Sequence, residues 1–499
     1  VGCAALSCEV PANPPHALQS DYVRDQLVQR SVDLNGKRHN PDGEYVLYWM
    51  QSTHRLNENW ALRAAIRAAD KIGRPLLVHQ GLDPTYPYAA DRHHTFMLQG
   101  ARDTAQRALE TGIAYQFVLR ERRVDDRRVV DRLAARAYLV VTDLFPTAGI
   151  RERTARFAER VGCRVLAVDS SCTVPSGLFG VAEYAARTIR PKLAKVLDHS
   201  LELVEDCAPR LDMPEPLRQS LIDTTHSALL PVATMDSAAI GAAVARSEVD
   251  HGVGPVAHTP GGSVAAELVL QRFLVEHLSA YNEQRGNSSM EESTSGLSPY
   301  LHVGQIASAA VVRAARDSGA PAGSIDAFVQ QVTTWRELSY NWCLRTPDFD
   351  QLAALPAWIQ KTMREHVADP RPQLYDLATL ERGETHDEFW NAAQRQLLAT
   401  GVIHNYARML WAKTLLLWTP DYETARQWMF YLNDKYALDG RDPNSVGGIM
   451  WCLGLWDRPW GNKPIWGGIR PMVTARVRLK FDTSAYLARW NGGRTLPSQ

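Results

Sequence analysis

Twelve of the fourteen tryptophans fall after residue 330, at positions 335, 342, 358, 390, 411, 418, 428, 451, 456, 460, 466 and 490. Core packing explains any one of them, since large aromatics dominate burial, but crowding the whole set into one part of the chain calls for a further role. A second group of chemically able residues is STSGLSPYLHVGQIAS, residues 293–308, where four hydroxyl side chains and a glycine gather around an expected helix start. Such hydroxyls cap a helix, and with free backbone N–H groups they also hold phosphate oxygens. Both readings stand. Arg470, Arg476, Arg478 and Lys480 form a basic strip that suits either phosphate contacts or a solvated face. The adjacent His93 and His94 do not converge on one helical face and no third ligand is in register, so no metal is expected.

The elements that must position these groups fall into two kinds. Short apolar runs, YVLYWM (45–50), RPLLVHQ (74–80), YQFVL (115–119), AYLVVTD (137–143) and CRVLAVD (163–169), alternate with helix-length segments such as NWALRAAIRAADKIG. Runs apolar on both faces are the mark of parallel strands, which predicts an α/β domain with a parallel, doubly wound sheet over 44–195. Residues 196–262 end in the turn-rich HGVGPVAHTPGGS and read as an interdomain connector. From 263 to 499 the periodicity is helical, as in AAELVLQRFLVEHLSAY, which predicts an all-α domain. Residues 1–43 read as a flexible tail without the pattern of a secretory signal. Neither a G-x-G-x-x-G after the first strand nor a Walker A loop is present, so a nucleotide must be held elsewhere.

With 499 residues, 45% hydrophobic content and a formal net charge of zero, the chain can bury large cores and has no global basic character. Nucleic-acid binding would require basic groups concentrated on one face. The seven cysteines, Cys3, Cys8, Cys163, Cys172, Cys207, Cys343 and Cys452, show no CxxC pair and read as free thiols of a reducing, intracellular protein. No run of 18 apolar residues offers a membrane span.

Several blocks resemble the class II cyclobutane pyrimidine dimer photolyases of the photolyase and cryptochrome superfamily. They are SGLSPYLHVGQI (295–306), HNYARMLWAKTLLLW (404–418), YLNDKYALDGRDPN (431–444), THDEFWNAAQ (385–394) and EYAARTIRPKL (183–193), and the likeness runs from about residue 44 to residue 490. The resemblance implies that the helical domain holds FAD. Thr294, Ser295, Leu297 and Ser298 match the family's pyrophosphate grip, and Tyr281 matches a flavin-contacting tyrosine. Asn433 resembles the residue facing flavin N5, where its amide accepts from the reduced ring. Arg408 and Asp439 match a buried ion pair beside the isoalloxazine, although an ordinary structural salt bridge is the competing reading. Trp390, Trp411 and Trp418 match an electron-transfer triad. Met409, Trp335 and Trp451 match residues that contact the dimer, with two indoles stacking on the flipped-out bases.

Two departures stand out against that pattern. The family's F-V-E-E-L reads FVQQV here, so the position of its dimer-contacting Glu is held by Gln331, which hydrogen-bonds but supplies no proton. Four residues before Trp335, Gln331 is expected on the same helical face, whereas Glu337 is expected on another. The DNA-facing blocks read GGIRPMVT (467–474) and RVRLKFD (476–482), with at least one family lysine missing and a proline gained. The resemblance therefore implies light-driven repair of dimer-containing DNA by a monomer, with an antenna chromophore of unknown identity in the α/β domain. Gln331 and the thinned strip support a second reading, a cryptochrome-like photoreceptor or a redirected FAD photoenzyme.

Overall fold

The computed structural model describes residues 19–203, 205–225 and 229–492. Six strands, β1 (Ser31–Asp33), β2 (Tyr45–Met50), β3 (Leu76–Leu82), β4 (Tyr115–Leu119), β5 (Ala137–Asp143) and β6 (Arg164–Val168), form one sheet in the order β1-β6-β5-β2-β3-β4. All pairings are parallel except β1 on β6. Every residue of β2 is buried, as a strand covered on both faces requires. Val46, Tyr48 and Met50 pack on Leu62, Ala65 and Ile66 of the helix Trp60–Ile72. The alternate residues Tyr45, Leu47 and Trp49 face Leu133 and Phe157 on the other side. The helix Trp60–Ile72 starts at Asn59, whose side chain accepts from Leu62 N, and stops at Gly73, in the left-handed conformation that glycine adopts without strain.

The second half of the segment expected as a tail is folded. Residues Gln19–Arg30 form a helix that leads into edge strand β1. The anchor is Arg30, buried, whose guanidinium donates to the carbonyls of Asp169, Cys172 and Thr173. Residues 1–18 lie outside the described residues. The stretch 196–262 is likewise more structured than a bare connector. It carries the helices Glu215–Thr225 and Ser237–Arg246, and Val232, Met235, Ile240 and Val244 pack on Leu82, Leu98 and Phe117 of the α/β domain.

Beyond Gly262 the chain is helical. Two apolar clusters build this part, one around Phe273, Tyr281, Leu297, Tyr300 and Phe328, the other around Trp390, Trp411, Leu415, Met429 and Met450. The domains are joined by buried polar contacts. Arg92 donates to the carbonyls of Leu397, Leu398 and Tyr436, and Arg336 donates to Ser171 O. Glu337 accepts from the N–H groups of Thr173 and Val174. Its burial pushes the carboxyl up to about 7. Among the described residues no helix is long and apolar enough to cross a membrane.

Candidate functional site

The site is organised by the helix Asn405–Trp418, which begins where His404 Nδ1 accepts from Tyr406 N. The other ring nitrogen of His404, Nε2, pairs with Ser293 Oγ at 2.9 Å and so ties the hydroxyl-rich loop to this helix start. One turn on, Arg408 Nη2 donates to Asp439 Oδ2 at 3.1 Å and lies 2.9 Å from Oδ1. Arg408 Nη1 stands 3.5 Å from Asn433 Oδ1, so these three residues form one corner. The Asn433 amide is oriented by its donor end, since Nδ2 donates to Asp434 Oδ1 at 2.9 Å and Ser445 Oγ at 2.7 Å. Its oxygen is thereby left toward the ion pair. Arg408 Nε is buried without a hydrogen-bond partner, a condition that costs free energy unless a further polar group satisfies it.

The hydroxyl loop is half-buried. Thr294 Oγ1 donates to Glu291 O, Ser295 Oγ accepts from Leu297 N at 3.4 Å, and Leu297 anchors the loop in the apolar cluster. Gly296 between them has φ +67°, a left-handed conformation that gives the loop its turn. The helix that follows, Ser298–His302, is little more than one turn long, so the hydroxyls and not a long helix dipole are what this loop offers an anion. Tyr281 is buried edge-on between Phe273 and Phe328, with ring centroids 5.6 and 5.5 Å away. A packing role therefore accompanies any ligand contact it makes.

The three tryptophans are brought together, in an order that helix spacing alone does not give. Trp390, from the helix Glu388–Thr400, sits between the other two. It stacks on Trp411 with centroids 6.1 Å apart and an interplanar angle of 12°, and meets Trp418 edge-on at 5.4 Å. Trp390 Nε1 donates to Trp411 O, and Trp411 Nε1 donates to Gln394 Oε1, which fixes both rings. Trp390 is held in place by the N-cap Asp387, which accepts from Phe389 N and Trp390 N. At the outer end the rings of Tyr375 and His386 lie 5.3 Å from Trp418, and His386 is exposed.

Trp335, Met409 and Trp451 are all partly buried, Trp335 against the first helical cluster and Met409 and Trp451 against the second. The helices Arg336–Arg345 and Pro443–Cys452 approach closely because Gly447 carries no Cβ, which would run into Ser339 and the Trp456 ring. Gln331 opens a single π-turn, Gln331–Trp335, closed by Arg336 N donating to Gln331 O. A widened turn of this kind re-aims side chains and recurs at functional sites. Gln331 is half-exposed. Behind Trp451, the Lys413 ammonium stands 4.8 Å from the ring centroid.

The basic strip divides in two. Arg470 lies over the Trp460 ring at 4.5 Å, with Arg458 also over that ring at 4.8 Å. Arg476, Arg478 and Lys480 are exposed on and just after the 3₁₀ turn Thr474–Leu479, with Arg478 paired to Glu388. Arg458, Lys413 and Gln394 were not singled out from sequence. Gln394 and Lys413 act through partners distant in the chain, Trp411 and Trp451, and no local period marks them. His93 and His94 diverge, to Ala437 O and to the Tyr86 hydroxyl respectively, and no group of three metal-ligating side chains is found among the described residues.

An open parallel sheet joined to a helical domain with a buried ion pair and a stacked indole ladder defines the class of molecule. The comparisons give the family. The DNA photolyase family profile matches residues 46–215. The chain is 33% identical over 465 residues to the deoxyribodipyrimidine photo-lyase of Methanothermobacter thermautotrophicus, with 93% of this chain and 98% of that protein covered. It is 34% identical over 461 residues to the protein of the same name from Oryza sativa subsp. japonica, with 89% and 87% covered. A solved bacterial class III photolyase from Agrobacterium tumefaciens shares the fold, with a TM-score of 0.62 at 18% identity over 90% of this chain and 87% of that one. The chain belongs to the DNA photolyase family.

Proposed function

We propose that this protein is a light-driven enzyme of the class II photolyase type that splits cyclobutane pyrimidine dimers in DNA with FAD held in its helical domain. The observation that carries the reading is the corner formed by Arg408, Asp439 and Asn433, in which Arg408 sits on the same helix as Trp411 and Met409. Its unsatisfied buried Arg408 Nε suits the polar edge of a flavin, and the half-buried hydroxyls of Thr294, Ser295 and Ser298 suit a pyrophosphate. FAD, when bound and reduced, supplies on illumination the single electron that opens the dimer and accepts it again afterwards.

The protein's own part is placement. Trp335 and Trp451 offer indole faces to a pyrimidine pair turned out of the duplex, and Met409 fills the floor between them. Gln331 hydrogen-bonds the dimer without giving it a proton. The ladder passes an electron inward from Trp418 through Trp390 to Trp411, next to Arg408 on its helix. Arg470 with Trp460 and Arg458, and beyond them Arg476, Arg478 and Lys480, meet the phosphates on either side of the lesion.

The test is to illuminate the reduced protein with a dimer-containing oligonucleotide and follow the return of pyrimidine absorbance. Recovery is expected. No recovery from a protein whose bound flavin photoreduces normally would overturn repair. That result would favour the second reading, a photoreceptor built on the same flavin and ladder, which Gln331 motivates.

A further inference from the structure

Lys413 is fully buried, at 0% exposure, and no carboxylate pairs with it among the described residues. Two of its three protons have backbone acceptors, Cys452 O and Arg470 O, each 3.1 Å from Nζ. In place of a third acceptor it has the face of Trp451, 4.8 Å from the ring centroid. Burying an ammonium without a counter-ion is costly, and a methionine or leucine would fill the same space at no such cost. Packing alone therefore does not account for a lysine here. What the charge adds is a desolvated cation–π contact, among the strongest of its kind.

We propose that Lys413 is a positioning residue for dimer recognition, clamping Trp451 from behind and tying it to the backbone of Arg470. The inference rests on the reading of Trp451 as a dimer-stacking residue. The ammonium fixes the plane of the indole and draws its π density inward. The outer face is then poorer in electrons and a better partner for the carbonyl-rich, saturated rings of a dimer. Because the same Nζ holds Arg470 O, the stacking indole and the start of the basic strip share one anchor. The other charged or titratable groups that act on Lys413 are Cys452, Asp457 and Arg470. Burial pushes the ammonium down to about 8, while the Cys452 thiol is pushed up to about 11, so the two titrate apart.

The experiment measures dark binding of dimer-containing and undamaged oligonucleotides by the full-length, flavin-loaded protein and its variants Lys413→Met, Trp451→Ala and the double mutant. Lys413→Met is expected to reduce the preference for dimer over undamaged DNA about ten-fold, part of the roughly thirty-fold to which a desolvated cation–π contact corresponds, and to have little further effect once Trp451 is Ala. Flavin content and ladder-driven photoreduction report that the fold is intact. If Trp451→Ala leaves dimer preference unchanged, the reading of Trp451 fails and the inference with it. If Trp451→Ala weakens it but Lys413→Met does not, or the two effects simply multiply, the inference alone is overturned. Should Lys413→Met fail to fold, the wild-type protein decides: its dimer preference is expected to fall as pH rises from 7 through about 8 to 9. A flat preference across that range overturns the proposal.

Discussion

Replacing Asp439 with Asn probes the corner on which the flavin reading rests. The Asp439 side chain is 9% exposed and that of Arg408 17%, so solvent screens the pair little. Arg408 has one other polar neighbour at this corner, Asn433 Oδ1 at 3.5 Å, and its Nε has none. The amide of Asp439→Asn therefore leaves a buried guanidinium with neutral acceptors only. Removing one member of a buried pair costs about 3–5 kcal/mol, chiefly through the charge left uncompensated. We take the lower end, about 3 kcal/mol, because the new amide still accepts a hydrogen bond. In a protein of this size that lowers the apparent melting midpoint by roughly 3 °C. Arg408→Leu is expected to cost a similar amount. The double variant Arg408→Leu/Asp439→Leu, which buries no charge, is expected to recover at least half of the loss. The assay is far-ultraviolet circular dichroism at a fixed scan rate, with flavin absorbance recorded on each preparation. Single variants melting within a degree of wild type, or a double variant worse than either single, would refute the reasoning.

Gln331→Glu should raise the repair yield per absorbed photon, read as recovered pyrimidine absorbance; an unchanged yield removes the missing carboxyl from the account. Trp390→Phe should reduce flavin photoreduction to a small fraction of wild type because it removes the middle ring of the ladder, while Trp335→Phe leaves photoreduction intact; steady-state bleaching of the flavin band distinguishes them. Burial lowers His54, His79, His94 and His404 from their ordinary value to about 4. Between that value and 6.5 the unfolded chain binds protons that the folded one refuses. Their contribution is thus whole above pH 6.5 and lost as pH falls toward 4, by about 1.4 kcal/mol per pH unit for each group. Glu337, raised to about 7, works in the opposite sense over 4.5 to 7, and the raised carboxyls of Asp103, Asp206, Glu291 and Asp434 oppose lower down, while His39 and His93, also lowered by burial, add to the four imidazoles. Melting midpoints should drop steeply below pH 6, and a flat profile from 7 to 5 would contradict this accounting.

The central strands were legible because parallel strands buried on both faces must be apolar throughout, and β4 and β5 fall on YQFVL and AYLVVTD residue for residue. Strand β1 was not legible. Its three residues, SVD, carry no alternation, and the preceding helix is fixed by Arg30 reaching carbonyls more than a hundred residues away. Helices between 215 and 246 were hidden for a related reason, since their apolar faces are satisfied by the α/β domain and not by each other. For the ladder, seven-residue spacing placed Trp411 and Trp418 on one face of a helix but could not show that Trp390, from another helix, lies between them. Residue identity was visible in the sequence; the order of the three rings is a property of packing.

The substrate side shows how much a local substitution depends on its surroundings. Gln331 opens a π-turn, in which one more residue is wound into the turn than an α-helix holds, so the side chain is aimed by a feature that a four-residue spacing does not encode. Glu337, the first carboxylate after it in sequence, cannot take over its task. Both Glu337 oxygens are engaged by the N–H groups of Thr173 and Val174 at the domain interface, where the side chain is buried and helps to hold the two domains together. Moving Glu337 toward the site would leave those N–H groups unpaired in a dry interface, a cost of about 1–3 kcal/mol for each. If dimer splitting proceeds here, it proceeds with a neutral amide at position 331, and the electrostatic work near the substrate then falls to groups set by tertiary packing, of which the Lys413 ammonium behind Trp451 lies within 5 Å of a stacking face.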